Sequence, residues 1–178
     1  MFRHRHNSGF TLIELLVVIS IIGLLSSVVF ASLNAAREKA AVANVISNIQ
    51  QVEKALRLLA DEENISAWWR ETSFCSNNCN ISDMVADSNR LGKYISAASL
   101  LPIGVNMHYD NDFDTFVCGS GPVYRGVNIG VRGVPLEFAE KVSMVIDGND
   151  DLQCGKVRWD PSVDGSVFYL IADDYRNY

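Results

Sequence analysis

Proline is the first shortage. The 178-residue chain has four prolines and none precedes Pro102. Proline breaks or kinks a helix, so no such break interrupts the first hundred residues. Charge is missing from Leu15 to Ala36. At ~1.5 Å per helical residue, that run is long enough to cross a bilayer core of ~30 Å. Histidine is limited to His4, His6 and His108, which leaves no cluster for imidazole-based metal or acid–base chemistry. Basic residues are outnumbered, 15 against 21 acidic ones, a net charge of −6; without Arg3 and Arg5 the balance is 13 to 21, or −8. That sign gives no general electrostatic footprint for nucleic acid, so no nucleic-acid partner is expected. No G-x-S-x-G, P-loop or H-E-x-x-H occurs, and the chain does not read as an enzyme.

What is present begins with helix. Residues 1–9, MFRHRHNSG, are short, basic and polar; residues 10–33 are apolar on every side. Val42, Ile46, Ile49, Val52, Leu56 and Leu59 then recur at spacings of three and four. This predicts a helix continuing over 34–60 with one apolar stripe. After Asp61 the sequence turns irregular through SAWWRETSFCSNNCNISD, and 90–101 predicts a short helix. Strands are predicted around Val105–Tyr109 and over 113–118, 123–131 and 166–172, with a helix over 134–147. Strands gathered after one long helix predict an α+β fold, with a β-rich head over 61–178 laid as an antiparallel sheet on the helix's amphipathic half. Trp68, Trp69 and Tyr124 read as core rather than as an adhesive tip.

The four cysteines, Cys75, Cys79, Cys118 and Cys154, all follow the apolar run. An even count beyond a membrane segment points to disulfides in an oxidising compartment. The favoured pairing is Cys75–Cys79 with Cys118–Cys154. Zinc fits poorly, since only Cys75 and Cys79 lie close in sequence. Two acidic runs, DNDFD (110–114) and DGNDD (147–151), set carboxylates at alternate positions. Neither completes an EF-hand, since Thr115 or Leu152 stands where glycine is needed. Solvated turns are the simpler reading of both. No cofactor is expected, with Asp147, Asn149 and Asp151 kept as Ca²⁺ candidates.

Three readings compete for the N-terminus. A secretory signal would be cut at a small-residue site after Ala31, releasing a secreted binding domain. A plain membrane anchor would keep the whole run. Neither accounts for Glu14, a carboxylate at the edge of an apolar helix, where charge costs roughly 2.5–3.5 kcal/mol at mid-membrane and less near the interface. The third reading rests on GFTLIELLVVISIIGLL (9–25). This stretch resembles the class III signal of type IV pilins and of the pseudopilins of type II secretion systems. The resemblance implies cleavage by a prepilin peptidase between Gly9 and Phe10 and N-methylation of Phe10. It also implies the pilin fold and a helix retained rather than discarded. Many members carry a proline where this chain has Ala31.

With Phe10 first, its freed amine and Glu14 lie four residues apart on one helix face. In a staggered parallel bundle, Glu14 of one copy can meet the amine of another, which would make it an assembly and register device. The alternative is a carboxylate at the membrane interface with no specific partner. Arg3 and Arg5 would keep the leader in the cytoplasm, placing the head outside a single-pass inner membrane before assembly. The resemblance implies a homo- or hetero-polymer with other pilins, built by a membrane assembly platform with an ATPase. The product would be a cell-surface pilus or a periplasm-spanning secretion pseudopilus. Some pseudopilins bind calcium in a C-terminal loop, which bears on Asp147, Asn149 and Asp151.

Overall fold

A computed structural model describes residues 10–64, 68, 79–96, 100, 107–111, 115–117, 123–161 and 165–173. For 115–117, 123–125 and 172–173 it describes the backbone alone. The chain divides into two compact units at Ala40/Ala41. Helix α1 (Leu12–Glu62) runs through both. Its only interior glycine, Gly23, costs ~1 kcal/mol relative to alanine and has no neighbouring atom within 4 Å of where a side chain would start. Asn64, at φ 50°, ends the helix in the left-handed conformation that asparagine tolerates. The last turn carries Asp61, Glu62 and Glu63 and no basic residue, an unfavourable charge for a helix C-terminus. Lys93 offsets it, its ammonium 2.7 Å from Glu62, and the Tyr94 hydroxyl donates to the same carboxylate.

The unit from Ala41 onward is an α+β head, as the alternation of patterns predicts. The second half of α1 buries Val42, Val45, Ile46, Ile49, Val52, Ala55, Leu56 and Leu59, which includes every residue of the predicted stripe. They share one core with Tyr109, Val127, Ile129, Val131, Val167 and Ile171 of the sheet. The strands are β1 (Met107–Asp110), β2 (Thr115–Val117), β3 (Val123–Val131), β4 (Val157–Asp160) and β5 (Ser166–Asp173). All pairings are antiparallel, in the order β1-β3-β5-β4, and β2 pairs with the first residues of β3. Helix α2 (Ile81–Ala86) precedes the sheet, and α3 (Leu136–Ile146) connects β3 to β4.

Two expectations are corrected. The described part of 90–101 begins with a 3₁₀ turn, Leu91–Lys93, shorter than the helix expected there. Gly92 is pressed against the preceding backbone, where an added Cβ would stand 2.5 Å from the Val85 carbonyl oxygen. The irregular segment ends earlier than expected, because Asn80 caps α2 by accepting the Ser82 N–H at 3.2 Å. Strand β4 has no counterpart among the predicted strands.

Strands β1 and β4 are each covered in part on their outer side by the chain itself. Along β1, Tyr109 N–H donates to the Cys79 carbonyl at 2.8 Å and Asn80 bridges His108. Along β4, Val157 N–H donates to Asp147 and Trp159 N–H to the Leu152 carbonyl. Inside, His108, Gly130, Phe168 and Arg158 fall in one cross-strand row. The His108 ring lies where a Gly130 side chain would begin and meets Phe168 edge-on, ring centroids 5.7 Å apart.

Candidate functional site

The first unit carries the feature that needs explaining. From Phe10 to Leu33 its large apolar residues are all exposed, with Phe10 at 91%. Helix α1 is long and apolar enough there to cross a membrane. A helix apolar on every side is stable in lipid or in a bundle of like helices, not in water.

Glu14 sits in this unit with a partner in its own chain. The Thr11 N–H and the Thr11 hydroxyl both donate to Glu14 Oε2, at 2.8 and 2.7 Å. Glu14 N–H donates back to Thr11 Oγ1 at 3.3 Å. This is a capping box, in which the N-cap hydroxyl and the N3 carboxylate satisfy each other's backbone donors. Its signal is present in the sequence as Thr11-Leu-Ile-Glu14, a T-x-x-E immediately before an apolar run, and an intermolecular reading of Glu14 alone overlooks it. The box uses Oε2; Oε1 accepts no hydrogen bond among the described residues. A carboxylate offers about four lone-pair sites. Glu14 therefore has capacity for one more donor while still capping its helix. Gly9, Arg3 and Arg5 lie outside the described residues.

The head's polar groups mostly hold the fold. Arg57 bonds Glu53 at 2.8 Å, donates to the Ile171 carbonyl at 2.8 Å and stands 5.9 Å from the Trp68 ring centroid. Tyr169 OH donates to Glu53 at 3.0 Å. Burial, then the neighbouring Glu53 charge, pushes the Tyr169 phenol up to about 12. Trp68 packs partly buried against the core; Trp69 lies outside the described residues, as does the Tyr124 side chain.

The Ca²⁺ candidates act as turn-builders. Asp147 accepts the Lys156 and Val157 N–H groups at 3.1 and 2.9 Å. An added Cβ on Gly155 would stand 2.2 Å from an Asp147 oxygen, so only glycine admits this approach. Asn149 and Asp151 each accept the N–H two residues on, both at 2.9 Å. Among the described residues, no three His, Cys, Asp or Glu converge as a metal site. Cys79, buried, and Cys154, exposed, are both disulfide-bonded. Their expected pairing involves Cys75 and Cys118, which lie outside the described residues.

The family comparison falls on the N-terminal unit. Residues 4–30 match the family model described as the prokaryotic N-terminal methylation motif. Over 60 residues the chain is 42% identical to the type II secretion system core protein G of Aeromonas hydrophila, covering 34% of this chain and 42% of that protein. The chain thus spans about two-fifths of that relative's length. No solved structure matches significantly.

Proposed function

We propose that this chain, whose N-terminal segment is that of the type IV pilin and pseudopilin family, is a structural, non-catalytic filament subunit. In this reading prepilin peptidase removes residues 1–9 and Phe10 is methylated. The exposed apolar half of α1 holds the subunit in the inner membrane, with the head outside. An assembly platform driven by an ATPase then moves that helix into a filament core. The observation that carries the reading is a helix exposed and apolar from Phe10 to Leu33, most of it within the methylation motif over 4–30. Lipid or neighbouring helices are the two environments that suit such a surface. Glu14 fits the assembly: its Oε1 is open to the N-terminal amine of an adjacent copy, and its capping box survives the contact. A paired charge is tolerated in an apolar bundle where an unpaired one is not, so register follows.

Within this class the name of the secretion relative favours a pseudopilin, and its partial coverage leaves a pilus subunit as the second reading. We assign the disulfides to Cys75–Cys79 and Cys118–Cys154 as part of the proposal, in keeping with an oxidising exterior. Intact mass and N-terminal sequencing of membrane and sheared fractions test the reading. Methyl-Phe10 is the expected result, in the membrane fraction for a pseudopilin and in the sheared fraction as well for a pilus subunit. A chain beginning at Ser32 would mean an ordinary signal peptide and would overturn it. The secretome of a deletion strain separates the two readings, because only a pseudopilin's loss arrests protein export.

A further inference from the structure

Four large apolar residues of the described head are exposed: Leu58 on α1 and Leu136, Met144 and Val145 on α3. Helix α3 buries Ala139, Val142 and Ser143 against the head and turns Leu136 and Met144 outward. With the half-buried Glu140 between them, these form one i, i+4, i+8 ridge of apolar, acidic and apolar groups. The exposed side of α1 carries a second such ridge: Gln50, Lys54 and Leu58. Neither Lys54 nor Glu140 has a hydrogen bond or ion pair among the described residues. Each ridge thus offers one unpaired charge, of opposite sign, followed four residues on by one exposed apolar side chain.

We propose that these ridges are two halves of one contact between copies of this chain: Lys54 and Leu58 of one head pack against Glu140 and Met144 of the next. On each helix the charge and the apolar group are about 6 Å apart, from four residues at ~1.5 Å. A parallel pairing therefore aligns both contacts at once, ridge against ridge. In the filament reading successive copies are related by a screw axis rather than a two-fold, so the contact is heterologous and repeats head to tail. The inference rests on the filament reading. It adds a head-to-head contact to the register that Glu14 sets in the helix core.

The test uses the full-length chain in its native assembly background. Lys54→Glu and Glu140→Lys each place like charges in the contact, and each lowers sheared-filament yield about threefold to fivefold. The double reversal restores yield to within about twofold. In parallel, Leu58→Cys with Met144→Cys is treated with a short thiol cross-linker in membranes and in sheared material, where it yields a ladder of dimers and higher multimers. Single reversals without effect, or a double reversal that fails to recover, overturn the proposal. So does the absence of a ladder in both fractions, or cross-links solely to a different polypeptide. A ladder that stops at dimers in membranes, with no filament either sheared or cell-associated, leaves the head contact standing and defeats the filament reading instead.

Discussion

The two halves of helix α1 share one secondary structure and opposite surroundings. Up to Ala40 no residue is buried; beyond it, nine are. Both halves are rich in Leu, Ile and Val, so hydrophobic content does not separate them. Distribution does. The second half confines its apolar groups to one stripe and gives the other positions to Lys54, Arg57, Gln50 and similar residues, so one sheet suffices to cover it. The first half has no polar face and no covering element, so a single sheet could not bury it. Periodicity, rather than composition, decides whether a helix is completed by its own fold or by other molecules.

Substitutions can break that contrast. The largest effect is expected at Leu56, fully buried in the second half. Leu56→Ala should cost about 2–5 kcal/mol of head stability, read as a lowered denaturation midpoint. The matching change in the first half, Leu24→Ala, should leave that midpoint unmoved and act only on filament yield. Equal destabilisation by both would erase the distinction between the halves. Next comes Arg57→Ala, which removes the donor to the Ile171 carbonyl and the stack on Trp68. A loss of about 1–2 kcal/mol is expected by chemical denaturation, against no measurable loss for Arg37→Ala, an exposed arginine of the first half.

A smaller effect separates the two roles of Glu14. Thr11→Ala removes the cap and retains the charge, at a cost of about 1 kcal/mol in helix stability. Glu14→Gln retains the cap, since glutamine also completes the box, and removes the charge. If register depends on charge, Glu14→Gln impairs assembly more than Thr11→Ala; the reverse order would assign Glu14 to capping alone. The smallest effect is read at high pH. Tyr169 is held protonated in the fold up to about 12, against about 10 in an unfolded chain. The folded state therefore binds the extra proton in that window, and its stability falls as pH rises from about 10 to 12. Tyr169→Phe should flatten this alkaline limb and, by losing the bond to Glu53, lower neutral stability by about 1 kcal/mol.

Much of this is legible in the sequence, and the misses share a physical cause. The α1 stripe, β3 over its nine residues, and α3 follow from periodicity, because each is long enough for a pattern to repeat. Strand β4 is four residues, Val-Arg-Trp-Asp, with its buried positions not alternating. It exists because β5 pairs one side while Asp147 and Leu152 satisfy N–H groups on the other. Helix α2 is six residues and owes its start to Asn80. At the site, Phe10 and Glu14 stand out by their chemistry in the sequence alone. Thr11 does not, because a capping threonine matters only once the helix's first backbone donors are accounted for. Asp147, Asn149 and Asp151 build consecutive turns, with the same alternate spacing that presents oxygens to a cation.

The covered edges at β1 and β4 have a consequence under the proposed function. Subunits anchored side by side by identical helices would hold their heads at a local concentration far above that of a dissolved protein. An open strand edge there would recruit the neighbouring head into a continuous sheet, irreversibly and in the wrong geometry. Cys79–Asn80 along β1 and the Asp147–Leu152 turn along β4 oppose that pairing.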